Sequence, residues 1–224
     1  MNKGVLVGLV VLVLVAVGAG GWFYMSGRNV GAPGADASAA DESKKAAAVP
    51  EVAPDEKFIG KADAPVTIVE YFSLGCPHCK HFEEAILPQL KTDYIDTGKA
   101  RLVYRDFPLD GVSLAAATLT RCVNDLAYFA MVDTLFKQQD TWHVQGGVDQ
   151  IKIIAKSAGI DDATFDACLN DQARKDKIVG SRQEAETKFK VEATPTFFIN
   201  DRVLAGVGEY APFKATIEAA LAAK

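Results

Sequence analysis

Two cysteines separated by two residues constrain the fold of this chain more than any other feature. Cys76 and Cys79 enclose the dipeptide Pro77-His78, and they stand where the strand-like run PVTIVEYFSL gives way to a helix-like run. A pair at this spacing can bind a metal, form a structural disulfide or exchange electrons. Its position at the start of a helix matters, because unpaired backbone N–H groups and the helix dipole stabilise a thiolate there.

Neither a structural bridge nor a zinc site suits this pair. A disulfide that closes so short a loop removes little entropy from the unfolded chain. A zinc site could use His78 or His81, but no second C-x-x-C or H-x-x-x-H cluster completes four ligands, and His143 stands apart in the sequence. Electron exchange is therefore the favoured interpretation.

The chemistry of the pair follows from its place on the helix. Cys76 comes first and is the predicted nucleophile. Cys79, one turn later, closes a disulfide on it or resolves a mixed disulfide with a substrate. His78 adds a polar group that can carry charge, and Pro77 suits the first turn because its missing N–H is not needed there. Together these features predict a stabilised thiolate, and hence a disulfide that oxidises other proteins.

The N-terminal part of the chain predicts export. Lys3 precedes an apolar run from Gly4 to Met25, which as a helix would be about 33 Å long and could cross a bilayer. Residues 1–25 are expected to be an uncleaved transmembrane anchor or a signal peptide, and under both interpretations the rest of the chain is exported. Residues 26–56 are rich in Ala, Gly, Pro, Ser and charges, and are expected to form a disordered tether.

Residues 57–224 are expected to form one domain with a full hydrophobic core. The runs PVTIVEYFSL and ARLVYRDFPL read as strands on either side of the helix that carries the cysteines. Residues from about 113 to 190 contain several helical patterns and no strand-like run. TPTFFINDRVLAG then predicts a hairpin, and YAPFKATIEAALAAK an amphipathic helix. The predicted order is a βαβ half, a helical insertion and a ββα half.

Local signals add detail to the helices. The helix after the cysteines is predicted to bury one face that includes Ala85 and Ile86, and to kink at Pro88. Within the insertion, Gly159 is predicted to stop one helix and Asp161 to cap the start of the next.

The order of elements and two motifs resemble the DsbA-like branch of the thioredoxin fold, an α/β fold with an inserted helical domain. The motifs are CPHC and VEATPTFFIN, of which the second resembles the family's cis-proline loop, and the resemblance covers essentially all of residues 57–224. The family consists of exported thiol-disulfide oxidoreductases. The resemblance therefore implies a dithiol oxidase that donates the Cys76–Cys79 disulfide to folding client proteins through a mixed disulfide.

The resemblance also implies a role for the Thr194-Pro195 pair. A cis bond there would face Cys76, and the exposed backbone of the loop would bind an extended substrate chain, as in strand addition. Considered without the resemblance, Pro195 could equally be an ordinary trans proline at the entry to a strand.

Two acidic residues match family positions. The resemblance implies that Glu70 is a semi-buried carboxylate under the helix, which takes the proton that Cys79 releases when it attacks. As an alternative, Glu70 lies at an edge or faces solvent. Glu83 matches a further acidic position, but a solvated helix face explains it equally well.

Cys122 and Cys168 both lie in predicted helices of the insertion. Because exported proteins rarely keep free thiols, the pair predicts a structural disulfide, with two buried unpaired thiols as the alternative. No catalytic step is assigned to this pair.

Partners and location follow from the resemblance. It implies reduced, unfolded exported proteins as substrates, a quinone-linked membrane protein as reoxidant, and a periplasmic monomer that is tethered to the inner membrane through its N-terminal helix or is soluble after cleavage. No metal or organic cofactor is expected, and a net charge of -5 does not favour binding to nucleic acid.

The alternative functions are a disulfide isomerase or reductase on the same fold, or a non-catalytic chaperone or binding module. An isomerase would be expected to bring a dimerisation domain, for which the tether has too few apolar residues.

Overall fold

A six-stranded mixed sheet forms the centre of the domain. The computed structural model describes residues 44–206 and 208–223 of the chain. The strands are Lys44–Lys45 (β1), Lys57–Gly60 (β2), Val66–Phe72 (β3), Ala100–Asp106 (β4), Thr196–Ile199 (β5) and Arg202–Ala205 (β6). Their order across the sheet is β1-β6-β5-β3-β4-β2. β3 runs parallel to β4 and antiparallel to β5, so its backbone is paired on both sides.

Helices connect these strands in the predicted order of a βαβ half, a helical insertion and a ββα half. They are Pro77–His81 (α1), Leu87–Leu90 (α2), Gly111–Thr120 (α3), Asp125–Lys137 (α4), Gln139–Trp142 (α5), Val148–Ser157 (α6), Asp162–Leu169 (α7), Gln172–Lys188 (α8) and Tyr210–Ala222 (α9), with π-helical turns at Phe82–Ile86 and Lys91–Ile95. The thioredoxin-type α/β architecture with an inserted helical part, α3 to α8, is thereby confirmed.

The run from α1 to the second π-helical turn is continuous, and we call it the dithiol helix. Its first π-helical turn ends just before Pro88, and the N–H of Leu87 donates to the carbonyl of Phe82, five residues back. Because such a turn holds more residues than an α-helical turn, it moves later side chains around the helix axis. Ala85 is therefore exposed, whereas the 3.6-residue periodicity predicts it on the buried face.

The central strand β3 is buried almost throughout, which explains its nearly continuous apolar sequence. Alternate side chains point to opposite faces of the sheet. Ile68 and Phe72 belong to the apolar cluster that includes both cysteines of the dithiol helix, and Val69 and Tyr71 belong to a cluster on the other face. Glu70 shares the face of Ile68 and Phe72, so it points toward the dithiol helix and not toward solvent.

The helical insertion has the ends that the sequence predicts. The side chain of Asp161 accepts a hydrogen bond from the backbone N–H of Thr164 at 2.7 Å, which caps α7. Gly159 follows the end of α6 with a φ of 85°, a left-handed conformation that costs glycine little. Both predicted helix ends are confirmed.

The segment before β2 differs from the prediction of a disordered tether through residue 56. β1 pairs with β6, and Ala46, Ala48 and Val52 pack against the second apolar cluster. Glu56 forms an ion pair with Arg105 of β4 at 2.5 Å. Asp55 forms a second ion pair, with Lys177 of α8 at 2.8 Å. Residues 44–56 are therefore docked on the domain, because a few small apolar side chains and two ion pairs can hold an arm that has no amphipathic pattern.

The predicted anchor or signal peptide at 1–25, and residues 26–43 of the predicted tether, lie outside the described residues. Within 44–206 and 208–223, no helix is both long enough and apolar enough to span a membrane.

Candidate active site

The two cysteines of the dithiol helix lie at different positions in its first turn, and both are buried. Cys76 is the N-cap of α1, with extended backbone angles, and Pro77 begins the first turn. Cys79 lies within that turn and is fully buried, and Cys76 is 4% exposed. Both sulfurs are unbridged, so the structure presents the reduced dithiol. Pro77 and His78, between the two cysteines in the chain, are exposed.

The turn between β3 and α1 brings the backbone close to the insertion. The N–H of Cys76 donates to the carbonyl of Ser73 at 3.0 Å, and the N–H of Gly75 donates to the Ser73 hydroxyl at 3.3 Å. A Cβ atom on Gly75 would collide with the Ser113 hydroxyl and the His143 ring. Glycine at this position therefore permits a close approach that a larger residue would prevent.

Cys76 is the more acidic thiol. A hydrogen bond from Cys79 lowers the pKa of Cys76 to about 5, against the opposing effect of burial. The backbone N–H groups of Cys79 and His78 lower that pKa further. Cys76 is thus ionised at neutral pH, as a nucleophile and as a good leaving group must be.

Cys79 has the opposite character. Burial raises the pKa of Cys79 well above its ordinary value, and the hydrogen bond to Cys76 and the nearby Glu70 raise it further. Cys79 is therefore protonated in the reduced protein, so the two sulfurs, one helical turn apart, hold a single negative charge between them.

Glu70 lies beneath this pair in the centre of the sheet. It is 1% exposed, and its Oε2 atom has no hydrogen-bond partner among the described residues. Burial raises the pKa of Glu70 well above its ordinary value, and the charges of Glu83 and Cys76 raise it further. A buried carboxyl whose pKa is raised in this way can exchange a proton with a neighbouring group.

Glu83 is partly buried, so the solvated-face interpretation does not describe it. The Tyr104 hydroxyl donates to its two carboxylate oxygens at 3.3 and 3.4 Å. Burial raises the pKa of Glu83 to about 7, although the Tyr104 hydrogen bond opposes this effect. Tyr104 is also the β4 partner of Glu70, so the two acids lie on either side of one tyrosine.

The Thr194-Pro195 peptide bond is cis and lies directly before β5. The Cys76 sulfur lies 3.3 Å from the carbonyl oxygen of Thr194, to which its thiol form donates, across 118 residues of sequence. The Thr194 hydroxyl is buried and has no hydrogen-bond partner among the described residues. The loop therefore faces the reactive sulfur and holds a donor that is available to it.

Sequence reasoning missed one residue of this site. The side-chain amide of Gln139, at the start of α5, donates to the backbone carbonyls of Leu74 and Cys76 at 2.6 and 3.1 Å. Gln139 is buried, and nothing in the run KQQDTW distinguishes it from the exposed Gln138 beside it.

The second cysteine pair stands apart from this chemistry. Cys122 and Cys168 form a disulfide with a Cα–Cα distance of 6.1 Å. The bond joins the end of α3 to α7 within the insertion. It spans a sequence separation of 46 residues, which suits a role in stability.

A cavity of about 500 Å³ is lined by residues from the N-terminal arm, β4 and α8. Tyr104 lines it, but neither cysteine of the dithiol helix does, nor do Glu70, Glu83, Gln139, Thr194 and Pro195. Its charged side chains include the ion pairs Arg105–Glu56 and Arg121–Asp106, which neutralise each other. We therefore assign no part of the dithiol chemistry to this cavity.

Comparison with known proteins agrees with this geometry. The sequence profile of the Thioredoxin family matches residues 52–219. Disulfide bond formation protein D of Bacillus subtilis is 30% identical over 185 residues, which is 75% of this chain and 78% of that protein. A Rickettsia bellii protein named as a protein-disulfide oxidoreductase is 32% identical over 148 residues. The match covers 65% of this chain and 57% of the Rickettsia protein, so this chain spans little more than half the length of that relative.

Solved structures show the same likeness. The crystal structure of alpha-DsbA1 from Wolbachia pipientis superimposes with a TM-score of 0.71 at 32% identity, over 77% of this chain and 94% of that one. The chain therefore belongs to the thioredoxin family, in its DsbA-like branch.

Proposed function

We propose that this protein is an exported thiol-disulfide oxidoreductase that donates the Cys76–Cys79 disulfide to folding client proteins. One observation carries the proposal: an acidic thiol at a helix N-terminus is paired with a buried, protonated thiol one turn later. This asymmetry stabilises the reduced form, and a stabilised reduced form makes the disulfide a strong oxidant.

The reaction consists of two exchange steps. A client thiolate attacks the Cys76 sulfur of the disulfide, the bond to Cys79 breaks, and Cys79 takes up a proton. A second client thiolate then attacks the client sulfur of the mixed disulfide, and Cys76 leaves as a thiolate. The client loses two electrons and gains a disulfide. The client also loses two thiol protons. In the net reaction one proton ends on Cys79, and the other is released to solvent because Cys76 remains a thiolate.

The surrounding residues act on named atoms in these steps. Glu70 lies beneath the pair and would supply the proton that Cys79 needs when its sulfur leaves, and would receive that proton when the disulfide forms again. Thr194 and Pro195 would bind the client backbone beside Cys76, as an added strand does at a sheet edge. His78 and Pro77 are exposed between the two cysteines in the chain.

Export and partners complete the proposal. Clients would be reduced, unfolded exported proteins, and two electrons would leave the dithiol to a quinone-linked membrane partner. Residues 1–25 would anchor the chain in the inner membrane or be cleaved, which places the domain in the periplasm. The names of the Bacillus and Rickettsia relatives, which refer to disulfide formation and disulfide oxidoreduction, support this activity.

A trapping experiment tests the mechanism. With Cys79→Ala, Cys76 keeps its helix N-terminus, and its thiolate attacks a client disulfide, forms a mixed disulfide and releases the other client sulfur as a thiolate. Because Cys79 can no longer resolve that mixed disulfide, covalent adducts should accumulate on non-reducing gels and disappear with reductant. Cys76→Ala should trap little, because Cys79 is buried and protonated. Equal trapping by both variants, or by neither, would refute the assignment of the nucleophile.

Peptide oxidation and insulin reduction separate the alternatives. A donor of disulfides should oxidise a dithiol peptide faster than it reduces insulin. A reductase should show the reverse preference, and a non-catalytic chaperone should do neither.

A further inference from the structure

The turn that carries Cys76 is held from outside the thioredoxin core. Two consecutive elements of the insertion meet there, because α4 ends at Lys137 and α5 begins with the buried Gln139. The amide nitrogen of Gln139 lies 2.6 Å from the Leu74 oxygen and 3.1 Å from the Cys76 oxygen. Both neighbours are carbonyls, which only accept hydrogen bonds, so the donor end of the amide must face them.

Other contacts keep Gln139 in place. Trp142, at the end of α5, is fully buried, and its indole N–H donates to the Leu135 carbonyl at 2.7 Å. His143 lies against Gly75 and contacts the Asp110 carboxylate at 2.8 Å. The C-terminal end of α5 is therefore fixed by the Trp142 hydrogen bond and the His143 contacts, and Gln139 at its start is carried by the same short helix.

The two carbonyls lie on either side of the reactive residue. The Cys76 carbonyl also accepts the first hydrogen bond of α1, from the N–H of Lys80 at 3.1 Å. When Gln139 binds this oxygen and that of Leu74, it fixes the Cys76–Pro77 peptide plane directly after Cys76 and the Leu74–Gly75 plane one residue before it. Those planes determine whether the sulfur faces the N–H groups of the first helical turn.

We propose that Gln139 is a positioning residue for disulfide exchange, which acts through the Leu74 and Cys76 carbonyls to hold the Cys76 sulfur toward its stabilising donors and thereby sets the oxidising power of the dithiol. The helical insertion thus takes part in the redox chemistry of the site. This inference rests on the proposed function, because it specifies how the same site is tuned.

Three variants of the full-length protein test the inference. Gln139→Met keeps the length of the side chain and removes its donors. Gln139→Glu keeps its polarity and shape and turns a carboxylate toward two carbonyls. Gln138→Met is the matched control, since Gln138 is the same residue type, adjacent and exposed.

Two readouts need no client protein. The ultraviolet absorbance of the thiolate against pH gives the titration midpoint of Cys76, and equilibration with glutathione gives the reduction equilibrium. In both Gln139 variants the midpoint should rise from about 5. The disulfide should become at least tenfold less oxidising, which is about 30 mV for a two-electron couple. The Gln138 variant should match the unmodified protein in both.

The outcomes separate positioning from mere packing and from failure of the proposed function. If Gln139→Met lowers the melting temperature but leaves both readouts unchanged, the residue is structural and the inference fails. If Gln139→Met does not fold, Gln139→Glu decides by the same readouts, and an unchanged midpoint overturns the inference. Altered readouts in a protein that does not oxidise clients would support positioning and refute the proposed function instead.

Discussion

Replacing Glu83 by glutamine should stabilise the folded protein at alkaline pH and leave it unchanged in acid. Glu83 lies in the first π-helical turn of the dithiol helix and accepts a hydrogen bond from Tyr104. Glutamine keeps an acceptor oxygen of the same reach and removes the charge. The substitution therefore measures how much free energy of unfolding is lost when the buried carboxylate of Glu83 is ionised.

The magnitude follows from the pKa. Burial raises the pKa of Glu83 from 4.5 to about 7 in the folded protein. A group whose pKa is raised by folding favours the folded state below pH 4.5, and this contribution is lost as pH rises through 7. At about 1.4 kcal/mol for each pKa unit, the ionised Glu83 destabilises the fold by about 3 kcal/mol once pH is well above 7.

Urea unfolding of the reduced protein at several pH values measures this effect. The difference in unfolding free energy between Glu83→Gln and the unmodified protein should be near zero at about pH 4 and should approach about 3 kcal/mol at about pH 8. Glu84→Gln, an exposed neighbour on the same turn, is the control and should show no such dependence. A difference for Glu83→Gln that does not change with pH would mean that burial does not hold its proton.

Three further outcomes are expected. Replacing Cys122 and Cys168 by alanine should lower the free energy of unfolding by up to about 4 kcal/mol with peptide oxidation largely intact, because the bond closes a long loop; two free thiols in mass spectrometry of the unreduced protein would contradict this. Cys79→Ala should raise the pKa of Cys76, measured by thiolate absorbance, because the Cys79 hydrogen bond is the largest effect that lowers it. Equilibration with glutathione should give a potential above about -200 mV, and a value near about -270 mV would indicate a reductant.

The parts of the fold that depend on neighbouring residues could be predicted from the sequence. The dithiol at a helix start needs only a strand, a turn and a helix in succession, and the apolar run of β3 reports its burial directly. The cap at Asp161 depends on a residue three positions later. These interactions join residues that are only a few positions apart, so a local sequence pattern is enough to predict them.

The parts that depend on packing could not be predicted. Gln139 and Gln138 are adjacent and identical, yet one is buried against a carbonyl 63 residues away and the other is exposed. Glu83 and Glu84 present the same ambiguity on the dithiol helix. In both cases the choice is made by elements distant in the sequence, the insertion for one and β4 for the other.

The protonation states of Cys76, Cys79 and Glu70 depend on one another, and this affects how the redox equilibrium varies with pH. Burial raises the pKa values of Glu70 and Cys79 most; the Cys76 thiolate raises that of Glu70 further, and Glu70 raises that of Cys79 further. Reduction places one negative charge on Cys76, and that charge favours a proton on each of the other two groups. During the exchange step the proton passes between Glu70 and Cys79, but after equilibration with solvent the oxidised protein, which lacks the Cys76 charge, holds the Glu70 proton less tightly than the reduced protein does. Two electrons are therefore accompanied by one proton at Cys79 and by a further fraction at Glu70, and the oxidising power of the dithiol should depend on pH more steeply than Cys79 would make it by itself.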